Sequence, residues 1–251
     1  MITIKSEEEI ELMRKAGMLV SLMHQYIKPF IKEGITTKEL DKLCEDFIIK
    51  HDGVPTCKGF EGFPCALCTS INDRVVHGIP DNTKLKNGDI ITIDVVIGYK
   101  GYQGDAAWTY AVGEVDDDKK YLMKHTEQAL YEGIKMVKPG NRIGDISNAI
   151  EKYANKHHLG IVRELCGHGI GTDMHEDPDV PNFGRKNEGP RLKPGMVICI
   201  EPMLTFGSEK VYLLKDGWTV VTGDGCDAAH YEHTILVTET GYEILTPRLD
   251  D

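Results

Sequence analysis

Two runs of alternating residues decide the fold, Ile90-Ile91-Thr92-Ile93-Asp94 and Gly104-Asp105-Ala106-Ala107-Trp108-Thr109-Tyr110. They flank Gly98-Tyr99-Lys100-Gly101, which predicts two antiparallel strands joined by a tight turn. A turn at the midpoint of that segment would set Asp94 directly opposite Asp105. Like charges in directly opposed positions destabilise a sheet, and burial would add a desolvation cost. A divalent cation is the simplest compensation, and an Asp that merely faces solvent near the turn is the alternative.

Composition limits the classes of function. The chain has 251 residues, a net charge of -11 and a pI near 5.4, which argue against nucleic acid or an anionic membrane as the main partner. The sequence contains no apolar run of membrane-spanning length and no secretory signal at its start. Seven cysteines, an odd number, predict reduced thiols and no disulfide framework. We therefore expect a cytoplasmic protein, with residues 1–251 forming a single domain because no linker divides them.

Local signals predict a mixed α/β (α+β) chain. Ser6 with Glu9, and Thr36 with Glu39, are capping boxes that begin two helices, and two more are expected at about 119–136 and 143–157. Besides the hairpin, short strands are expected at 70–72, 75–77, 161–165, 196–200, 211–214, 218–222 and 230–238. Residues 53–68 and 176–189 are expected to be loops.

An internal repeat organises these elements. The segment Leu85-Lys86-Asn87-Gly88 followed by Asp94 recurs as Leu192-Lys193-Pro194-Gly195 followed by Glu201, a shift of 107 residues. Two more matches keep the same order, between 32–51 and 138–157 and between 77–81 and 175–179. We therefore expect duplicated halves, about 6–113 and 117–245, related by a pseudo-twofold axis on which Asp94 and Glu201 would meet.

Further residues fit a metal centre at this point. Asp105 neighbours Asp94, Glu232 lies in a later strand, and His168 stands between two glycines that permit close backbone approach. Two Asp, two Glu and one His form an oxygen-rich set that suits Mn²⁺, Fe²⁺, Co²⁺ or Zn²⁺ better than a structural thiolate site. Four carboxylates would over-charge one ion, which favours two ions about 3.5–4 Å apart. For each of these residues taken singly, a structural role is more common than metal binding. Taken together with the internal repeat, the five residues favour a metal site.

Several motifs together resemble the type I methionine aminopeptidases. They are Asn72 through Pro80, Gly167-His168-Gly169-Ile170-Gly171, His175-Glu176-Asp177-Pro178, Ile200-Glu201-Pro202-Met203, Asp216-Gly217-Trp218-Thr219 and Tyr231-Glu232-His233-Thr234. The resemblance runs from about residue 6 to residue 245. It implies the pita-bread fold, a central antiparallel sheet with helices on the outside, whose duplicated halves agree with the repeat. The chain lacks the N-terminal zinc-binding extension and the type II insertion, so it resembles the bacterial form.

The resemblance also implies the roles of individual residues. The metal ligands would be Asp94, Asp105, His168, Glu201 and Glu232. His77 and His175 would contact the substrate and stabilise the tetrahedral intermediate, and Glu201 would also shuttle protons. The methionine pocket would use Cys57, Phe60, Phe63, Cys68 and Trp218, whose sulfur and aromatic groups pack well against a thioether. The implied cofactor is a pair of divalent ions per chain, with Co²⁺, Mn²⁺, Fe²⁺, Zn²⁺ and Ni²⁺ as candidates.

The implied reaction is removal of the initiator methionine from nascent proteins and peptides, with a small second residue favoured and water activated by the dinuclear centre. The implied partners are the N-termini of nascent polypeptides and, transiently, the ribosome. A monomer with no membrane or direct nucleic-acid function is expected.

The chain departs from the family pattern at four positions. Phe60 and Phe63 stand where tyrosine is common, Met174 where phenylalanine is common, and His230 where glutamine often stands. These departures affect pocket details. Cys65 and Cys68 form a lone C-x-x-C pair, for which free thiols are favoured over a redox or zinc pair.

Three other functions fit parts of this pattern. A proline-specific aminopeptidase or prolidase shares the fold and metal set, but it usually carries a large preceding domain, and here the first ligand is already Asp94. A non-catalytic binding module of this fold should have lost ligands. A structural zinc protein would need regularly spaced cysteines.

Overall fold

A computed structural model describes residues 1–249 of the chain. Four α-helices lie in this range: α1 Glu7–Ile27, α2 Thr37–Lys50, α3 Asp117–Ile134 and α4 Ile143–Lys156. Both predicted capping boxes are confirmed, because Ser6 and Glu9 exchange hydrogen bonds across the start of α1, and Thr36 and Glu39 do so at α2. None of the helices in residues 1–249 is long and apolar enough to cross a membrane.

The strands are short apart from the central hairpin. In chain order they are β1 Val54–Pro55, β2 Cys68–Ile71, β3 Arg74–Val76, β4 Ile90–Tyr99, β5 Tyr102–Ala111, β6 Gly160–Ile161, β7 Gly167–Gly169, β8 Glu176–Val180, β9 Val197–Ile200, β10 Met203–Thr205, β11 Val211–Leu213, β12 Val220–Thr222, β13 Ala228–His230, β14 His233–Val237 and β15 Tyr242–Ile244. All their pairings are antiparallel, which confirms the predicted mixed fold with antiparallel sheets and packed helices.

Two sheets carry most of the structure. The first joins β1, β4 and β2 in that order, with β5 on β4, and the second runs β15-β14-β9-β7-β8. Helix α1 packs on β4 and β5, and α3 packs on α4. One large apolar cluster includes Ile93 and Ile97 of β4 together with Ile200 of β9 and Ile235 of β14. The two sheets therefore share a core.

The predicted register of the central hairpin is wrong. The turn is Lys100-Gly101, with φ of 49° and 87°, so Asp94 pairs with Ala107 and Asp105 pairs with Val96. A two-residue hairpin turn with positive φ at both positions accounts for this register, and glycine adopts such a conformation without steric cost. The two aspartates are diagonal neighbours on one face of the sheet, which keeps them close without direct opposition.

Residues 176–180 were predicted to lie in a loop and instead form β8. This strand is at the edge of its sheet, with Pro178 and Val180 buried and Asp177 and Asp179 exposed. An edge strand tolerates proline because one side of its backbone needs no partner. The predicted strand 230–238 is also divided, since β13 and β14 are separated by Tyr231 and Glu232.

Candidate active site

The central hairpin and the second sheet are joined at the candidate site by hydrogen bonds to the backbone of β5. The Thr234 hydroxyl of β14 accepts from the Asp105 N–H at 3.0 Å and donates to the Asp105 carbonyl at 2.8 Å. The N–H of Glu232 donates to the Ala107 carbonyl at 2.7 Å. Glu201 directly follows β9, which pairs with β14 at Ile200 and His233. These contacts bring the carboxylates of both halves of the sequence to one place.

His168 is held between close strands. A Cβ on Gly167 would lie 2.3 Å from the Cys199 carbonyl oxygen, and one on Gly169 would lie 2.1 Å from that of Asp177, so both positions require glycine. The ring Nδ1 makes a 2.9 Å hydrogen bond to the Gly169 carbonyl, which makes it the protonated nitrogen. Nε2 then presents its lone pair 3.5 Å from Glu201 Oε1 and 3.7 Å from Asp105 Oδ2.

The buried carboxyl groups lack sufficient partners within the protein. Asp105 Oδ1 and Glu232 Oε1 make no hydrogen bond to any atom of residues 1–249. Burial, followed by repulsion from neighbouring carboxylates, raises the pKa of Asp105, Glu201 and Glu232 well above the ordinary range, and burial raises that of Asp94. Divalent cations would compensate this charge and occupy the orphaned oxygens, so these residues fit a metal centre.

Two sets of side chains have their potential ligand atoms close enough together to bind a metal ion. Ligand atoms of Asp105, His168, Cys199 and Glu232 lie within 4.8 Å of one another, and so do those of Glu201, His230 and Glu232. Four of the five predicted ligands belong to these groups. Asp94 belongs to neither, but it lines the same cavity and repels Glu201 and Glu232 electrostatically.

A cavity of about 200 Å³ adjoins the carboxylates. Its lining includes all five predicted pocket residues, both predicted substrate histidines and four of the predicted ligands; it consists of Cys57, Phe60, Glu61, Phe63, Cys68, His77, Asp94, Val96, Asp105, His168, Met174, His175, Trp218 and Glu232. Glu201 does not line it, but its Oε1 lies 3.5 Å from Nε2 of the lining residue His168. A larger groove of about 930 Å³, which includes Lys120 and Arg248, shares none of these residues. The small cavity is below the usual size for a drug-sized ligand and suits one side chain.

Aromatic contacts shape this cavity. Phe63 meets Trp218 edge to face with ring centroids 5.1 Å apart, and Phe60 meets His175 in the same way at 5.4 Å. The prediction missed Val96, Glu61 and Cys199. The period-two alternation of strands would have indicated Val96, two residues after Asp94, and Cys199, two residues before Glu201. No local signal pointed to Glu61.

The histidines around the cavity are held neutral. Burial lowers the pKa of His77 and His168 to about 4, with smaller contributions from His230 and His175 respectively. Burial, and then His77, lowers the pKa of His175. His77 directly follows β3 with φ of 58°, a conformation that is uncommon for a non-glycine residue. Neutral imidazoles can bind a metal or donate a hydrogen bond to an anion.

Comparison with known proteins places this arrangement in context. The family model of metallopeptidase family M24 matches residues 11–239. A methionine aminopeptidase 1 from Bacillus subtilis is 52% identical over 246 residues, which cover 98% of this chain and 99% of the relative.

Solved structures agree. A methionine aminopeptidase from Rickettsia prowazekii superposes with a TM-score of 0.97 at 44% identity, covering 98% of this chain and 100% of that one. A prolidase from Pyrococcus furiosus gives a TM-score of 0.79 at 23% identity, covering 97% of this chain and 65% of that chain. The likeness to the prolidase is therefore one of fold alone.

Proposed function

We propose, since this chain belongs to metallopeptidase family M24, that its buried carboxylate cavity removes the N-terminal methionine from peptides and nascent proteins. The activity is that of a metal-dependent methionine aminopeptidase of the bacterial type I class. The observation that carries this function is the full-length identity of 52% to a methionine aminopeptidase, and the family model matches residues 11–239, which include every predicted site residue. The proline-specific reading is disfavoured, because the prolidases share the fold at much lower identity and extend well beyond it.

The proposed metal ligands are Asp94, Asp105, His168, Glu201 and Glu232. Their support is the burial of Asp105, Glu201 and Glu232, the half-buried position of Asp94, the orphaned oxygens on Asp105 and Glu232, and the free Nε2 of His168. We propose two divalent ions, because four carboxylates exceed the charge of one. When bound, such ions polarise a carbonyl group and lower the pKa of water.

The chain's own groups supply binding and proton transfer. The pocket of Cys57, Phe60, Phe63, Cys68 and Trp218 would take the methionine side chain, and sulfur–aromatic contacts favour it there. The free α-amino group would lie against the carboxylates, which explains a preference for unblocked N-termini.

Two neutral histidines, His77 and His175, stand at the cavity and would donate hydrogen bonds to the oxyanion that develops on the scissile carbonyl. Glu201 would accept the proton from water and pass it to the leaving amine. This role requires a carboxyl group that can alternate between its ionised and protonated forms during the reaction.

We also propose that the domain arose by duplication of halves near 6–113 and 117–245. Thr36 pairs with Lys84 in an isolated bridge, and Arg142 pairs with Arg191 at the corresponding places of the second half. The helices that follow, α2 and α4, each have 14 residues. Matching bridges and helices support a repeated unit.

We place the activity in the cytoplasm, in a monomer that meets the nascent chain through transient contact with the ribosome. The support is the substrate itself, since the N-terminal methionine is exposed there. The net charge of -11 disfavours tight binding to ribosomal RNA, so the contact should be brief.

The test is release of free methionine from a Met-Gly peptide, with an Ala-Pro peptide beside it. Both are incubated with chelated protein and again after addition of Mn²⁺ or Co²⁺, with Asp94→Ala as the matched variant. We expect metal-dependent cleavage of the Met peptide alone, lost in Asp94→Ala. Cleavage of the Pro peptide would instead assign the proline-specific activity. Absence of cleavage in metal-loaded protein would overturn the proposed function.

A further inference from the structure

His230 is a buried histidine that the protein itself does not satisfy. It ends β13, where it pairs with Met203 of β10, and its side chain is almost fully buried. Its backbone is fixed by Thr109, whose hydroxyl accepts from the His230 N–H at 3.1 Å and donates to its carbonyl at 2.9 Å. Within residues 1–249, however, neither ring nitrogen makes a hydrogen bond. A buried imidazole without partners costs free energy that some other group must recover.

The ring faces the carboxylates. Nε2 lies 3.3 Å from Glu201 Oε2, and ligand atoms of His230, Glu201 and Glu232 all lie within 4.8 Å of one another. Asp94 also interacts electrostatically with His230. The ring therefore lies beside two of the proposed carboxylate ligands, Glu201 and Glu232.

The spacing matches that of two ligands on one ion. With metal–ligand bonds of about 2.0–2.2 Å, neighbouring ligand atoms are separated by about 3.0–3.5 Å. The His230–Glu201 separation of 3.3 Å falls in this range. The proposed ligand His168 stands at 3.5 Å from the other oxygen of the same carboxylate. Glu201 is thus flanked by one imidazole on each oxygen.

We propose that His230 is a sixth protein ligand of the metal centre, binding through Nε2 an ion that Glu201 and Glu232 also hold. The proposal rests on the metal centre proposed above. It gives each metal position one imidazole, His168 on one side and His230 on the other. Because imidazole suits Zn²⁺, Co²⁺, Ni²⁺ and Fe²⁺ better than Mn²⁺, the second position should favour the former ions more than an all-carboxylate position would.

The experiment counts bound imidazoles in the full chain loaded with Co²⁺ alone. In proton NMR, a histidine bound to Co²⁺ shows a strongly shifted, solvent-exchangeable ring N–H signal. We expect two such signals in the unaltered protein and one in His230→Gln, which introduces the residue often found at this position. His51→Gln, at an exposed histidine outside the site, is the matched control and should retain both signals.

Calorimetric titration with Co²⁺ provides the second readout. The second equivalent should bind at least about tenfold more weakly in His230→Gln, while the affinity for the first stays unchanged. One imidazole signal in the unaltered protein, or two in His230→Gln, would overturn the proposal. The count in the unaltered protein requires no variant to fold. Failure to cleave the Met-Gly peptide despite two imidazole signals would refute the proposed function and leave His230 as a ligand.

Discussion

The buried histidines on the two faces of strand β5 differ in whether their ring nitrogens have hydrogen-bond partners. On the face toward α1, His24 hydrogen-bonds the Tyr110 hydroxyl at 2.9 Å and the Ala106 carbonyl at 3.3 Å, and its ring lies 4.0 Å from that of Trp108. Toward the carboxylates, neither ring nitrogen of His230 has a hydrogen-bond partner among residues 1–249. Both rings are almost fully buried, so burial alone does not distinguish structural histidines from functional ones.

The difference lies in whether the protein satisfies its own polar atoms. Of the seven partnerless buried side-chain atoms in the described part of the chain, four belong to Asp105, His230 and Glu232. Trp108 Nε1 is an orphan on the α1 face, but it is a neutral donor. Orphaned carboxylate and imidazole atoms concentrated at one point indicate that the partner there comes from outside the chain.

The largest expected effect is that of Asp105→Asn on the carboxylate face. Loss of this ligand should lower cleavage of a Met-Gly peptide at least about a hundredfold, since even outer partners of a metal site contribute 10–100-fold. In the unaltered protein, metal at about 100 times its Kd should raise Tm by roughly 5–10 °C. The variant should lose most of this gain.

In metal-free protein the same variant should be at least as stable as the unaltered chain, because it removes a buried carboxylate without partners. Differential scanning calorimetry with and without metal measures both effects, and Asp117→Asn at an exposed site is the control. A variant that kept the full metal-dependent gain in Tm would refute the role of Asp105 as a ligand.

His24→Ala should produce the next largest effect, confined to stability. Removal of a buried, hydrogen-bonded ring is expected to lower the free energy of unfolding by about 2–4 kcal/mol, equally with and without metal. Urea unfolding measures this, and Ile49→Ala on the exposed side of α2 should change it by less than about 0.5 kcal/mol. If the loss of unfolding free energy in His24→Ala depended strongly on metal, His24 would not have the purely structural role assigned to it.

The pH dependence of stability provides a third test. Burial lowers the pKa of His24 and His233 to about 3, from about 6.5 in the unfolded chain. The unfolded state therefore binds more protons between these values, so their contribution to stability is complete above pH 6.5 and is lost as pH falls toward 3.

The raised pKa values of the site carboxyl groups act in the opposite sense in metal-free protein, where stability is lost as pH rises above their ordinary range. Urea unfolding of metal-loaded protein from pH 5 to 7 gives the slope of the unfolding free energy against pH. His24→Phe should reduce the slope by up to about 1.4 kcal/mol per pH unit, and an unchanged slope would contradict the assignment.

Thr234→Val should have the smallest effect. Its hydroxyl makes two hydrogen bonds to the backbone of Asp105, so the loss should be about 1–2 kcal/mol in unfolding free energy. Because these bonds join the two donor sheets, metal affinity should fall as well, by less than in Asp105→Asn. Calorimetric metal titration measures the affinity. Thr238→Val is the matched control, because the Thr238 hydroxyl accepts its hydrogen bond from Gly241 in the same turn. An equal loss of affinity in both variants would show that the bridge does not position the ligand.

The parts of the fold predicted correctly are those with local causes. The helix starts at Ser6 and Thr36 follow from side chains that bond backbone three residues away. The predicted hairpin register was wrong because the observed one depends on a positive φ at Lys100, and a lysine side chain gives no indication of that conformation. Strand β8 was missed because Asp and Pro favour loops, and only its place at a sheet edge makes them acceptable.

The candidate site was predictable to the extent that it repeats. Asp94 and Glu201 occupy equivalent places in two copies of one pattern, and the resemblance supplied the remaining proposed ligands. What the sequence did not reveal was the geometry around them. Strand alternation places Cys199 on the same face as Glu201, but its proximity to Asp105 and Glu232 arises only when β9 and β14 meet β5.

The hydrogen bonds that tie Thr234 and Glu232 to β5 have a consequence for how the protein is made and destroyed. A chain still being translated, or a fragment left by degradation, that ends before β7 holds Asp94 and Asp105 but none of the later donors. If the proposed ligands are correct, such a piece cannot assemble the metal centre alone. We therefore expect peptidase activity to begin only after β14 is in place, and to end with a single cut that separates Asp94 and Asp105 from the later donors.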